Sequence, residues 1–129
     1  MSLLQWSEKL DVNVAGMNQE HVQLIKLMNT VYDANSQCAG KANITKALDD
    51  LVKYVVMHFE NEEAYMESIG FSGLKTHKYI HKDLLDRVGG HVEDYKNAQS
   101  DSLPDSFFEF LKFWLVSHIQ GIDTKYSRA

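Results

Sequence analysis

Four stretches of the chain carry apolar residues at alternating intervals of three and four, the spacing that lines up side chains on one face of a helix. The first stripe is His21, Leu24, Ile25, Met28, Val31 and Tyr32, with Asn18 a suitable N-cap. The second runs Ile44, Leu48, Leu51, Val55, His58, Glu62, Met66 and Ile69, and Gly70 is placed to end it. The third is Leu74, His77, His81, Leu84, Leu85, Val88, Val92 and Tyr95, with Gly89 and Gly90 inside it. Those two glycines cost about 1 kcal/mol each relative to alanine, which leaves room for a kink or local fraying there. The fourth is Phe107, Leu111, Trp114, Leu115, His118 and Ile122, opened by Pro104 at the first helical position. The spacing therefore predicts helices over about residues 19–37, 42–68, 72–98 and 104–121. Only one proline and seven glycines interrupt the 129 residues, and no strand pattern competes. The expected fold is all-α, an antiparallel up-down four-helix bundle forming a single domain over 1–129. Residues 1–17, with Trp6, Leu10, Val12 and Val14, read as an extended N-terminal arm laid against it. The polar stretch from Gln99 to Ser102 reads as a loop.

Charge and cysteine count narrow the function. A net charge of −5 argues against nucleic acid, because such affinity rests on clustered Lys and Arg. Cys38 is the only cysteine, which excludes an intramolecular disulfide and a cysteine-based zinc site; it reads as a small, semi-buried thiol. No stretch approaches the roughly 18 apolar residues that span a bilayer, and the start of the chain lacks a basic region followed by an apolar run. The expectation is a cytoplasmic protein with no membrane partner.

What interrupts the stripes is more informative. His21, His58, Glu62, His77, His81 and His118 all fall in phase with the leucines and valines, so they point inward. Burying an unpaired carboxylate costs several kcal/mol, roughly, and a buried imidazole also needs partners. Taken singly, His21 or His118 would read as a satisfied core histidine, and His58 with Glu62 as a surface helix pair. The coincidence favours a metal, since all fall near one axial level once adjacent helices alternate direction. His58 and Glu62 are four apart, as are His77 and His81, so each pair diverges by only about 40° around its helix and can converge on an ion. Five imidazoles and a carboxylate exceed the four ligands of a structural zinc, and carboxylates can bridge, so two ions are expected.

Asp123 completes the set, although five residues from His118 rotate it by about 140° on a regular helix. Gly121 between them suggests that the fourth helix loosens, widens or ends there. His91 lies off this phase and reads as a non-ligand, while Glu60, Glu63 and Glu67 read as a solvated face. Lys125 and Tyr126 either close the bundle end or sit as terminal surface residues.

Four segments carry a resemblance across essentially the whole chain: N-Q-E-H ending at His21, H-F-E-N-E from His58 to Glu62, H-K-Y-I-H from His77 to His81, and W-L-V-S-H-I-Q-G-I-D from Trp114 to Asp123. The sequence resembles the hemerythrin family, in particular its single-domain bacterial form. The resemblance implies two iron ions bridged by an oxo or hydroxo group and by the carboxylates of Glu62 and Asp123. His77, His81 and His118 would bind one iron, and His21 and His58 the other, which keeps an open position. Leu24, Phe59, Trp114 and Ile119 match the family's apolar oxygen pocket, which admits a small uncharged gas while withholding water and protons. Asn18 departs from the family, where an acidic residue often stands three positions before the first histidine. The function implied is reversible binding of molecular oxygen for transport, storage or sensing, without enzyme activity. The alternative is a di-iron enzyme acting on oxygen, peroxide or nitric oxide. Five neutral imidazoles beside two carboxylates favour reduced iron and hence the carrier.

Overall fold

The computed structural model describes residues 4–7, 10–11 and 14–119. Four helices follow one another: α1 (Ala15–Ser36), α2 (Lys41–Ser68), α3 (Leu74–Asn97) and α4 (Asp105–His118), with no strand among the described residues. Each presents one buried stripe to a shared core, the all-α four-helix bundle that the periodicity predicts.

Helix α1 starts at Ala15, before the expected Asn18 cap. Met17 is buried and sits four residues ahead of His21, so the stripe begins one turn earlier than the leucines suggest. Val14 is the N-cap; Asn18 lies inside the helix and donates from Nδ2 to Asp11 Oδ1 at 2.7 Å. Similarly, Pro104 is the extended residue before α4, and Asp105 takes the first helical position with its carboxylate near the positive end of the helix dipole. Helix α3 runs without a break through Gly89 and Gly90, which face solvent with nothing within 4 Å of where a Cβ would stand.

Two turns use the same device. After α2, the N–H of Phe71 donates to the Met66 carbonyl and that of Gly70 to Glu67, with Gly70 at φ 66°. After α1, Ala39 donates to Ala34 and Cys38 to Asn35, with Cys38 at φ 54°. Both are Schellman motifs, and only the first places glycine where left-handed backbone is required. Cys38 is exposed rather than semi-buried, because its position outside the last turn points it away from the core. Ile69, counted in the second stripe, is exposed as the C-cap of α2.

Two asparagines fasten non-helical backbone to α1. Asn29 accepts from the Leu4 N–H at 3.1 Å and donates to its carbonyl at 2.9 Å, which holds the arm on the bundle. Asn35 accepts from the Leu103 N–H at 2.7 Å, fixing the α3–α4 connection. Leu10 and Leu103 are buried, Trp6 is about one-third exposed, and Val12 lies outside the described residues.

Candidate metal centre

The four helices bring their inward polar residues to one end of the core. His21 lies in the second turn of α1, His58 and Glu62 in the C-terminal part of α2, His77 and His81 at the start of α3, and His118 at the end of α4. That placement requires alternating helix direction, and all six side chains are buried. Their donor atoms form two groups within which the atoms lie no more than 4.8 Å apart: His21, His58 and Glu62, and Glu62, His77, His81 and His118.

Glu62, with 0% exposure, belongs to both groups and divides its oxygens between them. Oε2 stands 3.4 Å from Nε2 of His21 and 3.5 Å from Nε2 of His58, while Oε1 stands 3.1 Å from Nε2 of His81. The separations exceed the roughly 2.7–2.9 Å of a charge-assisted hydrogen bond. His81 Nε2, although buried, makes no hydrogen bond within the described residues. Imidazole nitrogens gathered about one buried carboxylate make two donor groups, each of a size that could hold a metal ion. Such a set of imidazole nitrogens sharing one carboxylate suits iron.

The outer nitrogens are held by acids that the periodicity did not single out. His58 Nδ1 lies 2.6 Å from Oε1 of Glu20, whose Oε2 accepts from Asn61 Nδ2 at 2.9 Å. His81 Nδ1 lies 2.8 Å from Oε2 of Glu63. Glu63 is thus no part of a solvated face, whereas Glu60 and Glu67 are exposed. The available signal was adjacency: Glu20 precedes His21 and Glu63 follows Glu62, about 100° from the buried stripe and so turned toward the neighbouring helix. Glu20 also faces Tyr54, whose phenol is pushed up by burial and then by that negative charge.

Aromatic packing encloses the centre. Phe59 stacks on His81 with ring centroids 3.8 Å apart and planes 2° from parallel, and Trp114 meets Phe59 edge-on at 6.0 Å. His77 and His118 meet edge-on at 5.1 Å, and His21 and His58 at 4.7 Å. Leu24, one turn after His21, is fully buried, as is Ile119. At Ile119 the regular winding of α4 gives way to a wider π-type turn. Gly121, Ile122, Asp123, Lys125 and Tyr126 lie outside the described residues. His91 is remote from both groups and packs against Phe107 and Phe110.

Fold and site together define a helical-bundle metalloprotein with a histidine-rich centre. The family model described as hemerythrin HHE cation binding domain matches residues 12–129. A myohemerythrin of Riftia pachyptila is 35% identical over 121 residues, covering 94% of this chain and 88% of that protein. A bacteriohemerythrin of Stenotrophomonas maltophilia is 28% identical over 127 residues, covering 98% of this chain and 81% of its own length. A crystal structure of wild-type hemerythrin superposes with a TM-score of 0.89 at 26% identity, covering 98% of this chain and 97% of that one. The chain belongs to the hemerythrin family, whose function is oxygen binding at a non-haem di-iron site.

Proposed function

We propose that this chain binds molecular oxygen reversibly, with His77, His81 and His118 holding one iron, His21 and His58 the other, and Glu62 bridging the two. Asp123 is the second bridging carboxylate in this reading. The observation that carries it is the division of Glu62, whose Oε1 faces one histidine group and Oε2 the other. Bound there, a ferrous pair would supply the reversible two-electron chemistry that oxygen binding requires.

The surrounding residues serve reversibility. Leu24, Phe59, Trp114 and Ile119 keep water and its protons from the open side, where an apolar wall tolerates an uncharged gas. Phe59, stacked on His81, also fixes the orientation of that ring. Five imidazoles add no net charge, which favours the reduced ions that oxygen must meet. The role is that of a carrier, store or sensor in the cytoplasm, acting without substrate turnover and without nucleic acid. No described helix is long and apolar enough to cross a membrane.

Anaerobic loading with ferrous iron followed by oxygen and then argon tests the reading. A visible band that forms under oxygen and vanishes under argon through repeated cycles, at two irons per chain, is the expected result. Irreversible bleaching accompanied by oxidation of an added substrate points to the di-iron enzyme instead. Asp123→Ala should lower iron retention; undiminished loading removes Asp123 from the ligand set.

A further inference from the structure

Two acids outside the proposed ligand set reach across helix interfaces to the far side of its imidazoles. Glu20 on α1 meets Nδ1 of His58 on α2 at 2.6 Å, and Glu63 on α2 meets Nδ1 of His81 on α3 at 2.8 Å. An ionised carboxylate only accepts hydrogen bonds, so Nδ1 carries the proton in each pair and Nε2 keeps its lone pair. That inner nitrogen is the one turned toward Glu62 in both rings. The pairs are sheltered, with Glu20 at 18% and Glu63 at 26% side-chain exposure, so solvent screens them only in part. One pair serves each histidine group.

The two backings differ in build. Glu20 is fixed at both oxygens, by His58 and by Asn61, whereas Glu63 reaches His81 through Oε2 and is the more exposed. Glu20 also backs the group with the fewer imidazoles, two against three. Negative charge at the outer nitrogen makes an imidazole a stronger donor and favours the higher oxidation state of a bound metal. Losing it should matter most where fewest other ligands compensate.

We propose that Glu20 and Glu63 are positioning residues that set metal affinity and redox poise separately in the two halves of the centre, Glu20 governing the two-histidine half and Glu63 the three-histidine half. This rests on the di-iron reading above. In this arrangement the site is poised between a reduced state favoured by neutral imidazoles and an oxidised state favoured by two acids behind them.

The test compares wild type, Glu20→Gln, Glu20→Ala and Glu63→Gln in the full chain, with helix content checked by circular dichroism. Iron affinity is measured by competition with a chromophoric chelator and midpoint potential by anaerobic titration. Gln keeps an acceptor oxygen but removes the charge. Glu20→Gln should therefore raise the potential, and Glu20→Ala should in addition weaken the second iron by about 10- to 100-fold, leaving one iron per chain at limiting metal. Glu63→Gln should raise the potential with a smaller loss of affinity. If Glu20→Gln misfolds, Glu63→Gln at its more exposed position carries the same charge test for the other half. Potentials equal to wild type in folded Gln variants that still load two irons and oxygenate reversibly overturn this inference and leave the di-iron reading standing. A wild-type protein that takes up no iron pair overturns both.

Discussion

At the end of the bundle where α1 runs into α2, the core is built from Met28, Val31, Leu48, Val92, Phe107, Phe108 and Leu111, all buried and all apolar. At the opposite end, around Glu62, the same helices bury five histidines and a carboxylate. The apolar end obeys periodicity, propensity and packing together, and burial of these side chains stabilises it. The other end breaks the hydrophobic pattern, and its inward imidazoles and carboxylate form the two groups that could hold a metal ion. One scaffold thus provides a dry half that holds the helices in register and a polar half that uses this register to converge side chains from all four.

That contrast can be broken most severely by removing metal. Chelation of the loaded protein is expected to lower stability by about 4 kcal/mol for a metal held at roughly a thousandfold over its dissociation constant, on the order of 10 °C in Tm. Hydrogen exchange should then rise first around His58 and His77 while amides near Leu48 stay protected; a uniform rise would show that the halves are not separable. Leu48→Ala attacks the dry half, where the fully buried leucine should cost about 3 kcal/mol in denaturant melts. Its iron content should stay at the wild-type value, and a parallel loss of iron would mean that packing there sets the ligand geometry. Leu24→Trp probes the boundary, since overpacking there costs about 1–3 kcal/mol. Stopped-flow oxygen uptake should slow with iron retained; wild-type uptake would remove Leu24 from the pocket.

Smaller effects come from the turns and from pH. Cys38 occupies a left-handed position in the dry-end Schellman turn, where Gly70 fills the equivalent position at the metal end. Cys38→Gly should therefore stabilise by about 1 kcal/mol in thermal melts. Tyr95 donates its hydroxyl hydrogen to the Asp101 carbonyl at 2.9 Å, and burial followed by the Asp101 charge raises its pKa above the ordinary 10.0. Because the folded value is the higher one, this contribution is complete below the unfolded pKa and lost as pH rises through the folded pKa. Tyr95→Phe should flatten the alkaline loss of stability, and an unchanged profile would assign it to other groups.

Much of the centre was legible because helix phase is a local property. His58 and Glu62, four apart, must share a face whatever surrounds them, and the same holds for His77 and His81. The acids behind the ring nitrogens were not legible, since Glu20 and Glu63 stand off the buried stripe and look like solvated residues until a neighbouring helix supplies a partner. The start of α1 differs from the sequence expectation for a related reason. Met17 continues the stripe, but Asn18 beside it is a good cap in isolation, and burial of Met17 decides the boundary.

The sequence by itself determined the four helices, their inward faces and the set of inward histidines, because a 3.6-residue period fixes which side chains lie together on one rod. Tertiary structure decided how the rods meet: which Glu62 oxygen faces which histidines, which acid backs which imidazole, and how Asn29 and Asn35 clasp the arm and the last connection. Contacts between helices depend on crossing geometry and axial register, which arise from packing the whole core and are written in no single segment.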